Sequence, residues 1–313
     1  MNIRDLEYFI AVAETGKFNE AAKRCFVSQP TLSGQLRKLE EELGSALFER
    51  TTRQVRLTDF GREALELARS AIFQIRLLEQ KAMALKDPFV GPVSLGAFPT
   101  LGPWFIPRIS EMLHRQYPKV EFYLSEEKSP VLQDQLLSGS MDAVFLAMPQ
   151  TLAGVEVVPL FSEMFKLAIP QNHPWHRRKS ITEKDLANQE LLLLEDGHCL
   201  RDQALDLCHK YGAHEKGYFR ATGLETLRQM VRMEMGMTLM PEMAIPPHGE
   251  TGIRYLTLET GDAHREIALC YRKTHPRKAL FEDLIHHLRQ FLKDALPVEV
   301  LDPDWVDTPK SDR

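Results

Sequence analysis

Two of the four cysteines lie in one stretch whose residue types suit a reactive thiol. The apolar run 191–194 is typical of a strand, and apolar residues then recur at helical spacing. This places Cys199 in the first turn of a helix and Cys208 further along the same helix. Unpaired backbone N–H groups and the positive end of the macrodipole lower the pKa of a thiol at that position. Because His198 and Arg201 add positive charge nearby, we predict a reactive thiolate at Cys199.

The spacing of these two cysteines limits what they can do together. Nine helical steps, at about 1.5 Å each, separate their Cα atoms by roughly 13 Å. A disulfide needs Cα atoms within about 7 Å of one another. Either the two thiols never pair, or pairing unfolds the helix between them and acts as a switch. The residues alone favour two unrelated thiols, with Cys208 packed as a small hydrophobe, and leave the switch open.

The composition is that of a two-domain protein without a membrane span. The chain has 313 residues, 43% of them hydrophobic, and no apolar run near the length of a membrane-spanning helix. Its first residues lead directly into an amphipathic pattern, which predicts a cytoplasmic protein with no signal peptide and no membrane partner. The cysteine spacing matches no zinc framework, and nothing predicts a metal or cofactor. Cys25 and Cys270 are predicted to be packing residues.

Residues 1–58 have the pattern of a winged helix-turn-helix domain. Two short amphipathic helices lead to a turn at 26–28, and Ser28 is a suitable N-cap for a third helix whose first turn contains Pro30. The segment carries nine Lys and Arg against eight Asp and Glu, in a chain of net charge −5, so its charge permits a DNA contact without demonstrating one. The alternative is a generic three-helix domain with a solvated hairpin.

The predicted contacts with double-stranded DNA lie at the start of the third helix and in the hairpin after it. Polar side chains at the helix start can donate to phosphates or reach base edges in the major groove. The hairpin at 47–57 would form a basic wing against the backbone or minor groove. The predicted DNA-binding residues are Gln29, Pro30, Thr31, Ser33, Gln35, Arg50 and Arg53.

A long linker helix is predicted at 59–87. Leu65, Ala68, Ile72 and Ile75 recur along it at a spacing of three or four residues. An amphipathic helix of this length between two domains most often buries its apolar stripe against a second copy, so we predict that it dimerises the protein. Packing of the stripe on its own domain is the alternative.

The segment 88–296 alternates strands with helices and is predicted to be an α/β domain with a mostly parallel sheet. A segment of this length suits two similar, Rossmann-like subdomains with a cleft between them. We place one subdomain at about 91–162 plus 268–296 and the other at about 163–267. The last stretch, 297–313, lacks periodicity and is predicted to be a loose tail.

Several motifs stand where the LysR-type transcriptional regulators have them, and the first 60 residues resemble that family. They are Ala21-Ala22, Val27-Ser28-Gln29-Pro30-Thr31-Leu32-Ser33, Leu39-Glu40, Leu43-Gly44, Leu47-Phe48-Glu49-Arg50 and Leu57-Thr58 with Gly61. Within the family, the regulatory part is similar to the peroxide-sensing members. The segments that carry this similarity are Gly197-His198-Cys199-Leu200-Arg201-Asp202-Gln203-Ala204, Cys208, Phe219-Arg220-Ala221-Thr222 and Leu224-Glu225-Thr226-Leu227-Arg228.

This resemblance implies a fold and a function. The fold would be a periplasmic-binding-protein type α/β domain behind a winged helix-turn-helix domain and linker helix. Hydrogen peroxide would oxidise Cys199 to a sulfenic acid, and Cys208 would convert it to a disulfide. The refolded domain would then change DNA binding and the transcription of antioxidant genes. The protein would be an activator rather than an enzyme, with promoter DNA, hydrogen peroxide, RNA polymerase and further copies of itself, in a homodimer or homotetramer, as partners.

The resemblance also implies a peroxide pocket beside the thiol, in which Arg265 would supply positive charge. The residues implied to line or support it are Thr100, Ser129, His198, Asp202 and Arg265. Two positions depart from the family pattern. Position 129 is Ser where better-known members carry threonine, which keeps the hydroxyl and loses the methyl group that fixes its rotamer. Position 218 is Tyr where histidine is expected.

Two other functions are weighed against peroxide sensing. A regulator of the same family that binds a small organic effector in the interdomain cleft would make Cys199 incidental. A thiol peroxidase or a transport-type binding protein would account for the C-terminal part alone. Because that last class leaves the helix-turn-helix and the long helix unexplained, it ranks lowest.

Overall fold

The computed structural model describes residues 1–50, 55–84, 86–148, 150–261 and 263–301. The chain divides into two compact units, Met1–Ala82 and Met83–Arg313. The turn predicted at 51–54, with Arg53, lies outside the described residues, as does the side chain of Arg50. Within the described ranges, no helix is long and apolar enough to cross a membrane.

The N-terminal unit consists of three helices, a hairpin and a long fourth helix. Its elements are α1 (Ile3–Thr15), α2 (Phe18–Arg24), α3 (Gln29–Leu43), β1 (Phe48–Arg50), β2 (Val55–Leu57) and α4 (Asp59–Ala84). A capping box between Asn2 and Asp5 starts α1, and Gly16, at a φ of 65°, ends it. Ser28 Oγ accepts a hydrogen bond from Thr31 N–H at 3.3 Å, which confirms the predicted N-cap of α3.

The apolar stripe of α4 packs on its own domain over the first half of the helix. Leu65 and Ala68 belong to the core that α1, α2 and α3 form, and Ile72 is buried within the same chain. The prediction that these side chains contact a second copy is therefore wrong for Leu65 and Ala68, because a small three-helix domain needs them to close its own core. Leu67 and Leu78 remain exposed on α4.

The second unit is an α/β domain. Its elements are β3 (Gly91–Ala97), α5 (Gly102–Gln116), β4 (Val120–Glu126), α6 (Ser129–Leu137), β5 (Ala143–Ala147), β6 (Val155–Pro170), β7 (Ser180–Ile181), α7 (Glu183–Leu186), β8 (Glu190–Leu194), α8 (Cys199–Tyr211), β9 (His214–Ala221), α9 (Leu224–Arg232), β10 (Thr238–Pro241), a 3₁₀ turn (Glu242–Ala244), β11 (Ile253–Leu258), β12 (His264–Arg272), α10 (Lys278–Ala295) and β13 (Glu299–Val300).

The sheet of this unit is mixed, so the prediction of a mostly parallel sheet is wrong. In the main sheet, parallel pairing holds between β3 and β4, β3 and β5, and β7 and β11, and β8 and β9 form a separate parallel pair. The long strand β6 pairs antiparallel with β10, β11, β12 and β13. β12 pairs with 155–164 of β6 and β11 with 166–170, so the two strands follow one another along β6, and antiparallel pairing of this kind needs no helical crossover.

Two hydrophobic cores lie along β6, and β12 contributes to the first of them. The first includes Phe161 of β6 and Ile267 of β12, with α5, α6 and α10 packed around it. The second includes Phe165 of β6 and the buried faces of α8 and α9. Trp104 packs against both cores. The second unit therefore has two packed halves that share β6, and groups between Phe161 and Phe165, with those that pair with them on β12, lie between the halves.

The described part of the C-terminal stretch is not a loose tail. Glu299 and Val300 form β13, which pairs with Ser162 and Phe161 of β6. The pairing of β6 with β12 shifts register at Leu160, whose carbonyl accepts a hydrogen bond from Leu301 N–H at 2.9 Å. The prediction for 297–313 is therefore wrong for 297–301, because an edge of β6 is available for pairing; 302–313 lie outside the described residues.

A buried charged network holds the start of α10 against the sheet. His275 Nδ1 accepts a hydrogen bond from Arg277 N–H at 3.1 Å, so its proton is on Nε2, which donates to Asp142 at 3.0 Å. The Asp142 carboxylate also accepts from the N–H and hydroxyl of Ser94. Burial lowers the pKa of His275, Asp142 opposes this, and Arg272 and Arg277 lower it further. The fold therefore favours the neutral imidazole.

We expect the stability of the second unit to fall as the pH drops below 6.5. The unfolded chain binds a proton on this histidine near pH 6.5, whereas the folded chain does so only at lower pH, so the free energy of unfolding rises with pH in that window. One such group contributes a slope of up to about 1.4 kcal/mol per pH unit. Urea unfolding of wild type and His275→Gln at pH 5.5, 6.5 and 7.5 checks this. Equal slopes in the two proteins would contradict it.

Candidate functional site

Cys199 lies at the junction of the two cores. It is the first residue of α8, as predicted, and its side chain packs against the first core while the buried residues of α8 belong to the second. The residue retains part of its accessible surface. The loop before α8 is also tied across this junction, because Lys128, next to α6, forms an ion pair with Glu195 and donates to the Asp196 carbonyl at 3.3 Å.

A buried arginine is held at the same junction. Arg265 on β12 is 2% exposed, and its guanidinium donates to the Glu163 carboxylate of β6 at 2.8 and 2.7 Å. It also donates to the hydroxyl and carbonyl of Thr100, each at 2.9 Å. The rings of Phe98 and Phe165 lie 5.3 and 5.9 Å from the guanidinium carbon. These partners fix the position of the arginine and of the turn that carries Thr100.

The surroundings of the thiol raise its pKa overall. Burial raises the pKa of Cys199, while the positive charge of Arg265, the Ser129 hydroxyl and the Leu200 N–H act in the opposite direction. The predicted lowering of this pKa is therefore wrong, because desolvation outweighs the helix start. Ser129 Oγ is buried and has no hydrogen-bond partner of ordinary geometry in the described part of the chain. A thiolate, or an oxygen bound beside it, would give this donor an acceptor.

Neither His198 nor Arg201 supplies the positive charge near Cys199 that the sequence predicted. Burial lowers the pKa of His198, which favours a neutral ring, and Lys128 lowers it further while Glu195 opposes. Arg201 points away from the thiol, because its guanidinium is bonded to Asp196 and Glu215. The cation that acts on Cys199 is Arg265. For His198 and Arg201, the predicted charge effect on the thiol is therefore wrong.

The pocket residues implied by the resemblance lie around Cys199 or are bonded to a residue that does. Thr100 and Arg265 are bonded to one another, and Ser129 faces the thiol. His198 is buried beside it, and neither ring nitrogen has a hydrogen-bond partner of ordinary geometry among the described residues. Asp202 is exposed on the first turn of α8, and its charge raises the pKa of Cys199. Tyr218 is in β9, and its side chain lies outside the described residues.

Glu163 is a residue of the site that the sequence prediction missed. It is 0% exposed and accepts hydrogen bonds from Arg265 and, at 2.7 Å, from Met243 N–H. A detectable signal was present, since Glu163 lies in the middle of a long, mainly apolar strand. Charged side chains are almost never fully buried unless they are paired. The identity of the partner, 102 positions away, gave no such signal.

The second thiol lies at the far end of α8. Cys208 is 2% exposed in the second core, and burial raises its pKa to about 11 with a contribution from Glu215. All four cysteines are free thiols, and Cys25 and Cys270 are part of packed regions, in which burial raises the pKa of each. Because α8 runs unbroken from Cys199 to Tyr211, the distance of roughly 13 Å between the two Cα atoms applies.

The predicted DNA-binding residues share the start of α3. Gln29, Pro30 and Thr31 are exposed there, and Ser33 and Gln35 are partly exposed one turn later. Gln29 donates to Ser33 Oγ at 3.3 Å. Polar side chains at an exposed helix start can enter a major groove. Within the described ranges, no group of three or more His, Cys, Asp or Glu side chains is placed to hold a metal ion.

Comparison with known proteins identifies relatives of both units. Residues 3–62 match the bacterial regulatory helix-turn-helix protein model of the lysR family, and residues 86–293 match the LysR substrate binding domain. A hydrogen peroxide-inducible genes activator of Pectobacterium carotovorum subsp. carotovorum is 46% identical over 94% of this chain and 97% of the relative. The DNA-binding transcriptional dual regulator OxyR of Escherichia coli K12 is 46% identical over 92% of this chain and 95% of the relative.

A solved structure extends this similarity to the fold. Full-length OxyR of Pseudomonas aeruginosa, in its C199D form, is 34% identical and has a TM-score of 0.69. The match covers 92% of this chain and 95% of that one. The similarity therefore spans the helix-turn-helix unit, the long helix and the α/β unit together.

Proposed function

The chain belongs to the LysR family of transcriptional regulators, and from that premise we propose that it activates transcription in response to hydrogen peroxide. The names of the relatives support this, since they are peroxide-inducible gene activators and OxyR. The observation that carries the proposal is the surroundings of Cys199. Its thiol lies between two cores and is acted on by Arg265 and by the buried Ser129 hydroxyl, which has no partner of ordinary geometry among the described residues; a second thiol lies on the same helix.

We assign the first chemical step to Cys199. Its sulfur attacks one oxygen of hydrogen peroxide, an S–O bond forms, and the O–O bond breaks. The thiol proton passes to the departing oxygen, which leaves as water, and Cys199 becomes a sulfenic acid. Arg265 and Ser129 stabilise the negative charge that develops during this transfer. Because the thiol is partly buried against the first core, the pocket would favour oxidants small enough to enter it over bulky ones.

The second step forms a disulfide and moves the protein. The Cys208 sulfur attacks the sulfenic sulfur, the S–O bond breaks, and the hydroxyl leaves with the Cys208 proton as water. Overall, one peroxide and two thiols give one disulfide and two waters. Because a disulfide needs Cα atoms within about 7 Å, α8 must unwind for this step. Cys208 then leaves the second core, where it is now buried, and the packing of that core changes.

The rearrangement would be transmitted to DNA through the oligomer. We assign 1–58 to DNA contact through Gln29, Pro30, Thr31, Ser33, Gln35, Arg50 and Arg53, 59–87 to dimerisation, and 88–296 to peroxide sensing. Because the start of the α4 stripe closes its own domain, the dimer contact would use apolar side chains that α4 leaves exposed, such as Leu67 and Leu78. A homodimer or homotetramer, RNA polymerase as partner and a cytoplasmic location belong to the same proposal.

A peroxide titration that follows the disulfide and the DNA footprint together tests the proposal. We expect the Cys199–Cys208 disulfide, detected by mass spectrometry, to rise in step with a change in the footprint. Cys208→Ser should form a sulfenic acid on Cys199, trapped by dimedone, but no internal disulfide. A disulfide from Cys199 to Cys25 or Cys270 would contradict the pairing. Catalytic peroxide turnover with ordinary reductants and no DNA binding would favour a thiol peroxidase.

A further inference from the structure

A network of charged side chains joins the first turn of α8 to the strand that follows it. Arg201, two residues after Cys199, donates to both carboxylate oxygens of Glu215, at 2.8 and 3.1 Å. The same guanidinium donates to the Leu194 carbonyl at 3.0 Å and to the Asp196 carboxylate at 2.9 Å. The Arg201 side chain is 7% exposed and that of Glu215 is 19% exposed, so the pair between them forms largely out of contact with bulk water, whereas Asp196 is exposed. Bidentate pairs of this kind are among the stronger hydrogen bonds in proteins.

An irregularity in β9 brings a second arginine to the same carboxylate. Leu191 of β8 pairs with Glu215, and Leu193 pairs with Arg220, so the register advances two residues along β8 but five along β9. Arg220 Nε consequently reaches Glu215 Oε1 at 2.9 Å. Glu215 therefore holds the first turn of α8 on one side and closes the irregular part of β9 on the other.

We propose that the Arg201–Glu215 pair is a latch that holds the dithiol form and must open when Cys199 and Cys208 join. Arg201 is on the Cys199 side of α8, whereas Glu215 follows Cys208 by seven residues, beyond the Gly212 that ends the helix. Because Cys208 has to move several ångströms, the short segment that connects it to Glu215 moves with it. The bidentate pair therefore opposes disulfide formation. This inference rests on the proposed function.

The latch gives Arg201 a role outside the reaction of Cys199 with peroxide. Its charge is balanced by Glu215 and Asp196, and it does not act on the thiol. A group that stabilises only one redox form shifts the equilibrium between the two forms, in proportion to its contribution to that form. Arg201 and Glu215 are accordingly positioning residues that would set how much oxidant is needed for the switch.

The equilibrium constant for oxidation by glutathione measures this contribution. In this exchange the dithiol and one oxidised glutathione give the protein disulfide and two reduced glutathiones. In the full chain, Glu215→Gln removes the charge but keeps the shape, and we expect the constant to rise about tenfold, equivalent to a reduction potential about 30 mV more negative. An unchanged or smaller constant would overturn the latch. Arg201→Lys, which keeps the charge and loses the bidentate geometry, should give a smaller rise in the same direction.

Two controls separate a latch from a general structural role. Arg220→Gln removes the outer, half-exposed arginine and leaves the Arg201 bonds in place, so the constant should change less than in Glu215→Gln. In addition, Glu215→Gln should lower the melting temperature of the dithiol form and leave that of the disulfide form unchanged. Equal losses in both forms would overturn the proposal.

The same titration separates this proposal from the function on which it rests. A wild-type disulfide with an unchanged constant in Glu215→Gln would overturn the latch alone. If wild type formed no Cys199–Cys208 disulfide at any ratio of oxidised to reduced glutathione, both the latch and the proposed switch would be overturned.

Discussion

Replacing Cys199 with serine is expected to abolish peroxide-dependent transcription while leaving DNA binding intact. Serine has nearly the same shape and can start α8 equally well, since its hydroxyl suits a helix N-terminus. Its oxygen cannot take the place of sulfur in forming a sulfenic acid or a disulfide. The unit that contains Gln29 and Thr31 folds around its own core, so its DNA contacts do not depend on this thiol. The measurements are reporter transcription with and without peroxide, and operator binding.

The matched control for this variant is Cys25→Ser. Cys25 is partly exposed, as Cys199 is, but lies at the end of α2 in the other unit. It should therefore keep the full peroxide response. A normal peroxide response in Cys199→Ser would exclude the proposed sensor mechanism at Cys199.

Replacing Arg265 with leucine is expected to have the largest effect on stability. It leaves the Glu163 carboxylate fully buried without its cation and removes both bonds to Thr100. Breaking a buried ion pair in this way costs about 3–5 kcal/mol. Urea unfolding of the reduced protein measures this loss. A change below about 1 kcal/mol, the range of an exposed pair, would show that the pair is not buried in solution.

A double variant separates the stability effect from the effect on the thiol. Arg265→Leu with Glu163→Leu removes both charges, so it should recover much of the lost stability, because a buried ion pair can often be replaced by apolar side chains. It should still react more slowly with peroxide than wild type, since the positive charge that favours the thiolate is gone. The rate of sulfenic acid formation measures this. A wild-type rate in the double variant would mean that Arg265 acts only in folding.

Neighbouring residues were enough to predict much of the local structure. Ser28 caps α3, and Cys199 begins α8, because caps and helix starts depend on groups within three or four positions of one another. The motifs of the first 60 residues likewise indicated the helix-turn-helix unit. The estimate of roughly 13 Å between the cysteines followed from the rise of an α-helix.

The tertiary structure decided which charges act on the thiol. From the sequence, His198 and Arg201 were the nearest sources of positive charge, yet one is buried in a way that favours the neutral ring and the other is bonded to Glu215. Arg265 acts instead, held by a carboxylate 102 positions away and by Thr100, 165 positions away. Burial itself, which raises the pKa of Cys199, is also a property of the assembled cores.

The same distinction between local and tertiary effects explains the errors in the prediction of the fold. The stripe on α4 and the direction of the strands both depended on which surface each element would meet. A periodic apolar pattern shows that a face is buried, but it does not name the partner, so Leu65 and Ala68 fitted their own domain and a second copy equally well. Sequence determined the local geometry of this protein because that geometry depends on short-range bonds. Tertiary structure decided the electrostatics of the site, because desolvation and charge act through space between residues far apart in the chain.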